Sequence, residues 1–262
     1  MGVFILERSM APCTASVLRS SVVLLCGAAI WAQDSTADRV KSLEHELKQQ
    51  KRTLRDYGGL IRYGSENSEL PPPAMGENRV IFLGDQITEY WNREHFPGKP
   101  WLNRGIAGQT TDQMLVRFRQ DVVSLQPKAV VILGGLNDIA GLHGSPSSEE
   151  MVADNLMSMT EIARANGIRV VLASLTPICN CYSRSAARER WQERIMELNE
   201  LIEKYCSKSG ATFLDYFQAM SEKGDLKKEL TNDGTIPNEA GYAVMARLAE
   251  KAIDEALHGG VQ

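Results

Sequence analysis

From Arg79 onward the chain alternates short apolar runs with longer amphipathic stretches, and this alternation limits the fold more than any other feature. Residues 80–83, 129–133, 169–174 and 212–215 are strand-length runs rich in Val, Ile or Leu, and a weaker run covers residues 101–103. Helical spacing of apolar residues covers 110–123, 148–166, 184–209 and 238–257. Strands separated by helices join through right-handed crossovers into a parallel sheet covered on both faces, which makes the chain an α/β protein. In such a sheet the working crevice lies outside the carboxyl ends of the strands. The loops after Leu83, Leu133 and Ser174, and the loop before the last helix, are therefore where chemistry is expected.

With 262 residues, 43% of them hydrophobic, the chain can bury one substantial α/β core and needs no second domain. A net charge of -4 with both signs interspersed provides neither a basic stripe for nucleic acid nor a polybasic membrane patch. Four histidines, none spaced with a carboxylate or cysteine as metal ligands are, give no expectation of a metal, and no cofactor is expected.

The amino terminus reads separately. "SSVVLLCGAAIWAQ" is an apolar run preceded by Arg8 and Arg19 and ending in small residues, the pattern of a secretory signal over residues 1–32. The run is shorter than the ~20 apolar residues of a membrane-spanning helix. Export is expected, with an uncleaved signal anchor as the alternative; Leu25 argues against lipid attachment at Cys26. Residues 33–56 form an amphipathic segment whose stripe, Val40, Leu43, Leu47, Leu54 and, just beyond it, Tyr57, falls at alternating spacings of three and four once Gln50 fills one slot. It suits a spacer, a helix docked on the domain, or self-association through residues 40–57. Residues 65–78, with Pro71, Pro72 and Pro73, read as an irregular connection, the main domain spans 57–258, and 259–262 form a tail. After export three cysteines remain, Cys179, Cys181 and Cys206; one disulfide with a free thiol is an alternative, but a C-x-C pair does not close on itself easily, so a structural or incidental role is expected.

Four loops carry the chemistry. In "GDQITEYW", Gly84 permits a tight strand-to-helix turn, Asp85 can cap the helix, and Gln86 faces the crevice. "NRGIAGQTTDQM" brings a backbone close to a ligand at Gly108, and Thr110 or Thr111 opens the next helix. "GGLND" supplies the amide donor of Asn137, with Asp138 to tie the loop. The Gly108 N–H and the Asn137 amide together would form an oxyanion hole. "NDGTIPNEAGY" offers the carboxylate of Asp233 just before the last helix.

These four blocks, in this order, resemble the SGNH hydrolases, also called the GDSL esterase and lipase family, over residues 57–258. Their texture is similar to the secreted bacterial branch related to acetylhydrolases and carbohydrate esterases. The resemblance implies a flavodoxin-like, three-layer αβα fold around a parallel sheet of about five strands. It places the family's nucleophilic serine at Gln86 and its catalytic histidine at Ile236, and both are therefore lost. The triad acid at Asp233 and the oxyanion donors at Gly108 and Asn137 are retained.

An amide is neither a nucleophile nor a base, and isoleucine does not titrate. The expectation is an esterase fold without, or with strongly impaired, ester hydrolysis, binding a small acylated or carbohydrate-like ligand or a partner in the old crevice. The alternative is an active secreted ester hydrolase with a rearranged site. His143, in the loop after Asp138, is then the candidate substitute base.

Overall fold

The computed structural model describes residues 36–48, 51, 54–92, 96–142, 144, 146–182 and 186–259. It divides into two units, residues 1–55 and 56–262. In the first, residues 36–48 form helix α1, and residues 51, 54 and 55 are also helical. Val40, Leu43 and Leu47 are exposed on α1, and Leu54 is exposed as well. The expected signal segment lies outside the described residues, and among the described residues no helix is long and apolar enough to cross a membrane.

The second unit opens with α2, Ile61–Glu69, which corrects the expectation of an irregular stretch from residue 65. Only Tyr63 of this helix is buried, and tertiary bonds hold it in place. The Tyr63 hydroxyl donates to the Gly105 carbonyl at 2.5 Å, and Asn67 Nδ2 donates to Asp121 Oδ1 at 2.6 Å. The helix stops at Leu70, whose extended backbone is what a following proline requires.

Thereafter come β1 (Val80–Gly84), α3 (Gln86–Glu89), β2 (Trp101–Gly105), α4 (Thr111–Asp121), β3 (Ala129–Leu133) and α5 (Leu136–Ala140). They are followed by α6 (Glu149–Ala165), β4 (Arg169–Ala173), α7 (Ala186–Ser209), β5 (Thr212–Leu214), α8 (Tyr216–Met220), the short pair β6 (Ser221–Glu222) and β7 (Asp225–Leu226), and α9 (Glu239–His258). The expected parallel sheet is present, in the order β2-β1-β3-β4-β5. Every residue of β1 and β3 is buried, as befits central strands covered on both faces.

The crossovers from β2 through to β5 all advance in one direction, so handedness places α4, α6 and α7 on one face, where neighbouring helices touch. The reversed step from β1 to β2 places α3 on the other face. There α9 packs against β3, β4 and β5, and its Tyr242 hydroxyl donates to the Ile87 carbonyl at 2.8 Å. The strand order reverses beside β1, so the loops after β1 and β3 flank the switch point where such sheets hold their ligands.

Two strands end earlier than their apolar runs suggest. Ser174 and Asp215 leave β4 and β5 to serve α8: Asp215 Oδ1 accepts from Gln218 N and Ser174 Oγ accepts from Phe217 N, each at 2.9 Å. The C-x-C expectation needs a correction of its own. Cys179 and Cys181 are joined, because the turn brings their Cα atoms to 5.2 Å, within the range a disulfide spans. Cys206 is free and buried, and burial pushes its thiol up to about 12.

Candidate active-site crevice

Gly84 ends β1 where no side chain fits: a Cβ there would stand 2.5 Å from the Leu133 carbonyl and 2.1 Å from Thr88 Oγ1. The chain can therefore turn sharply into α3. Asp85 caps that helix, its Oδ1 accepting from Ile87 N at 2.9 Å. Its carboxyl is buried, and burial pushes it up to about 7 against the pull of the Ile87 N–H. Asp85 is thus the structural cap that its position suggested, with its charge turned inward.

Gln86, the first residue of α3, is half-buried and reaches across the switch point. Its Oε1 accepts from Gly108 N at 3.0 Å and from Asn137 Nδ2 at 2.8 Å. Its own Nε2 donates back to Asn137 Oδ1 at 3.1 Å. The two side-chain amides therefore form a closed, doubly hydrogen-bonded ring, with Gly108 adding a third bond to the same oxygen. The two donors expected for an oxyanion hole do converge on one point, and an oxygen of the protein itself sits there.

Each donor is held from behind. Gly108 has φ +80°, the left-handed region that glycine adopts without strain, and this turns its N–H toward Gln86. Just before it, Ala107 N donates to Glu89 Oε2 at 2.7 Å. Asn137 is buried and uses its second N–H on the Gln109 carbonyl at 2.8 Å. Asp138 ties the base of α5 to the start of α4, accepting from Thr111 N and from Thr111 Oγ1 at 2.7 Å. Burial raises its carboxyl above the ordinary range against those hydrogen bonds.

Beneath them lies a cation that the sequence reading passed over. Arg117 and Asp121 are both fully buried and paired at 2.9 Å. The guanidinium donates to the Gly84 carbonyl at 3.0 Å, the Arg104 carbonyl at 2.7 Å and Gln109 Oε1 at 2.6 Å. It therefore joins the ends of β1 and β2 to the Gly108 loop. The signal was present: two opposite charges four residues apart fall on the same face of the 110–123 pattern as Met114 and Phe118.

Asp233 and Ile236 sit in the loop before α9. Among the described residues every hydrogen bond to the Asp233 carboxylate falls on Oδ1: Thr235 N at 2.8 Å, Ile236 N at 2.7 Å and the Thr231 hydroxyl at 3.3 Å. The acid braces its own turn, and Ile236 packs half-buried against the core. Cys179 N donates to the Gly234 carbonyl at 2.8 Å, so the disulfide-bearing loop and this one are fastened together. Burial raises the Tyr242 phenol, and the nearby charges of Asp85 and Asp233 push the same way. His143 and His95 lie outside the described residues. Among the described residues no group of three His, Cys, Asp or Glu side chains is placed to hold a metal.

A five-stranded parallel sheet with a Gly-Asp turn after β1, an oxyanion-type donor pair from the next two loops and an acid before the last helix defines the SGNH-type ester-hydrolase fold. The GDSL-like Lipase/Acylhydrolase family model matches residues 82–244, and the chain belongs to that family. Among solved structures it is similar to a GDSL-like lipase from Bacteroides thetaiotaomicron, at 38% identity over 77% of this chain and 100% of that one, TM-score 0.71. A candidate acylhydrolase from Bacteroides fragilis aligns at 37% identity over 77% of this chain and 99% of that one, TM-score 0.72. The uncharacterized lipoprotein YqeF of Bacillus subtilis is 40% identical over 39% of this chain, which thus matches half of that relative's length, 50%.

Proposed function

We propose that this chain is an exported, catalytically silent member of the GDSL-like family that acts by binding in its crevice. One observation carries the reading: the amide oxygen of Gln86 takes both the Gly108 N–H and the Asn137 amide. An ester carbonyl needs those donors as its oxygen gains charge. Here they are satisfied, the side chain satisfying them is no nucleophile, and Ile236 supplies no base.

What the crevice still offers is a donor beside an acceptor. Among the described residues, Gln86 Nε2 keeps a second N–H and Asn137 Oδ1 a second lone pair. Neighbouring hydroxyls, or a hydroxyl next to a carbonyl, match that pair, which favours a carbohydrate-like or acylated ligand. Export is supported by the apolar amino-terminal run and by the similarity to a lipoprotein. Asp85 does not rescue hydrolysis in this reading, because its carboxyl is turned inward as a helix cap.

The test is turnover of a short-chain aryl acetate by the wild-type chain, expected at the level of a protein-free blank. Robust hydrolysis that disappears in Asn137→Ala would overturn the proposal.

A further inference from the structure

The Cys179–Cys181 bridge takes no part in the crevice chemistry, yet it is built into the loop fastened to the Asp233 turn. A disulfide stabilises chiefly by closing a loop in the unfolded chain, and the gain grows with loop length. Here the partners are two residues apart, so the bridge closes almost nothing and is a poor staple. Its two ends also differ: Cys179 is buried, whereas Cys181 is exposed. An exposed bridge is open to attack by a thiolate.

What the bridge does hold is the turn that carries Asp233 and Ile236. Cys179 N donates to the Gly234 carbonyl at 2.8 Å, and beyond the bridge the Tyr182 hydroxyl donates to the Thr231 carbonyl at 3.1 Å. Thr231 is the hub of that turn, its hydroxyl donating to the Ile236 carbonyl at 2.7 Å and accepting from Gly234 N at 3.0 Å. Arg188 spans both loops, donating to the Cys179 carbonyl at 2.9 Å and to the Asp233 carbonyl at 3.5 Å. A Cβ on Gly234 would stand 2.8 Å from Arg188 Nη1 and 3.3 Å from Cys179 Sγ, so cation and sulfur are neighbours.

We propose that Cys179–Cys181 is a reversible thiol–disulfide exchange site, reduced by a dithiol partner, whose state sets how firmly the Asp233 turn is held. A thiolate of the dithiol attacks Cys181 Sγ at the exposed end. The bridge breaks with its electron pair on Cys179 Sγ, where the neighbouring guanidinium favours a thiolate. The partner's second thiolate then attacks the partner's own sulfur in the mixed disulfide and releases Cys181. Two electrons and two protons pass to the chain, and the partner leaves as a disulfide. Once reduced, Tyr182 is no longer tied to Cys179 through the bridge, and Thr231 is held less firmly. The site works in the same way whether or not the crevice hydrolyses esters.

Dithiothreitol, buffered with its oxidised form and added to the folded full-length chain, is the probe, with maleimide labelling and peptide mass spectrometry to locate thiols. Cys179 and Cys181 should become thiols together while the buried Cys206 stays unlabelled, which reports that the chain is still folded. Amide hydrogen exchange across residues 231–236 should then quicken about ten-fold, with residues 129–133 unchanged. Oxidised glutathione should form a mixed disulfide with Cys181 in Cys179→Ser, and none with Cys179 in Cys181→Ser. Arg188→Gln should slow reduction several-fold and Arg188→Lys restore most of the rate. Reduction that occurs only when Cys206 is labelled too overturns the proposal. So does reduction that leaves exchange across 231–236 unchanged, or free thiols at both positions in a chain prepared without reductant.

Discussion

Restoring the two missing groups is the most searching perturbation, because the geometry makes different demands on each. In a Ser-His-Asp protease, loss of the serine or the histidine alone costs ~10⁶ in turnover, leaving ~10³ to 10⁴ over water from the oxyanion hole and binding. At about 1.36 kcal/mol per decade that loss is ~8 kcal/mol of transition-state stabilisation. Gln86→Ser does two things here. It supplies the hydroxyl, and it withdraws the amide oxygen that lies 3.0 Å from Gly108 N and 2.8 Å from Asn137 Nδ2, leaving the hole free. Ile236→His supplies the base, and the Asp233 oxygen that takes no hydrogen bond among the described residues, Oδ2, is left to orient its ring. The gains are therefore unequal and not additive. Ile236→His alone should stay at the blank, since the hole is still filled. Gln86→Ser alone should rise only modestly, having a free hole but no base. The double variant should exceed either by several decades in aryl acetate turnover. A single Ile236→His variant as active as the double would refute the reasoning, because it would show that Gln86 does not obstruct the hole. A well-folded double variant with an inert hydroxyl would show that the crevice no longer aligns the two groups.

Three further outcomes follow from the same geometry. Arg117→Ala leaves the fully buried Asp121 without its cation, and chemical denaturation should show a loss of about 3 to 5 kcal/mol, whereas an exposed pair of the same type would cost under ~1. Burial pushes the Asp85 carboxyl up to about 7 in the folded chain, against an ordinary 3.8, so between those limits the folded state holds the extra proton. Stability should accordingly fall as pH rises through that window, by up to ~1.4 kcal/mol per pH unit, and Asp85→Asn, which keeps a capping oxygen, should flatten the slope. Gly84→Ala drives a Cβ to within 2.5 Å of the Leu133 carbonyl, so its melting temperature should drop sharply while Gly76→Ala, with no atom within 4 Å, shows only the milder penalty of its positive φ.

Much of the fold was legible because the central strands are buried on both faces, and burial of that kind leaves continuous runs such as Val80 to Leu83 and Ala129 to Leu133. The short helices were not. α5 and α8 have five residues each, too few to show a helical period, and α2 runs into a stretch that Pro71, Pro72 and Pro73 make read as irregular, while its tertiary bonds to α4 and β2 cannot be read from the sequence. At the site, residue types alone predicted that the Gly108 N–H and the Asn137 amide would converge, since each follows a strand beside the switch point. That an oxygen of Gln86 would satisfy both could not be read from the sequence, because it depends on a side-chain rotamer spanning two loops. The Cys179–Cys181 bridge was missed for a related reason: spacing says how far apart two residues lie along the chain, and the turn decides how close they come.

Asn137 has two employers in this molecule. One N–H faces the old oxyanion position, and the other fastens the loop to the Gln109 carbonyl, so the second task persists whatever becomes of the first. Any survey that scores a genome for esterases by this asparagine will therefore count proteins that keep it as a rivet. In the proposed reading, it is the residue two places after Gly84, read together with the third residue after Asp233, that distinguishes a working hydrolase from a silent one.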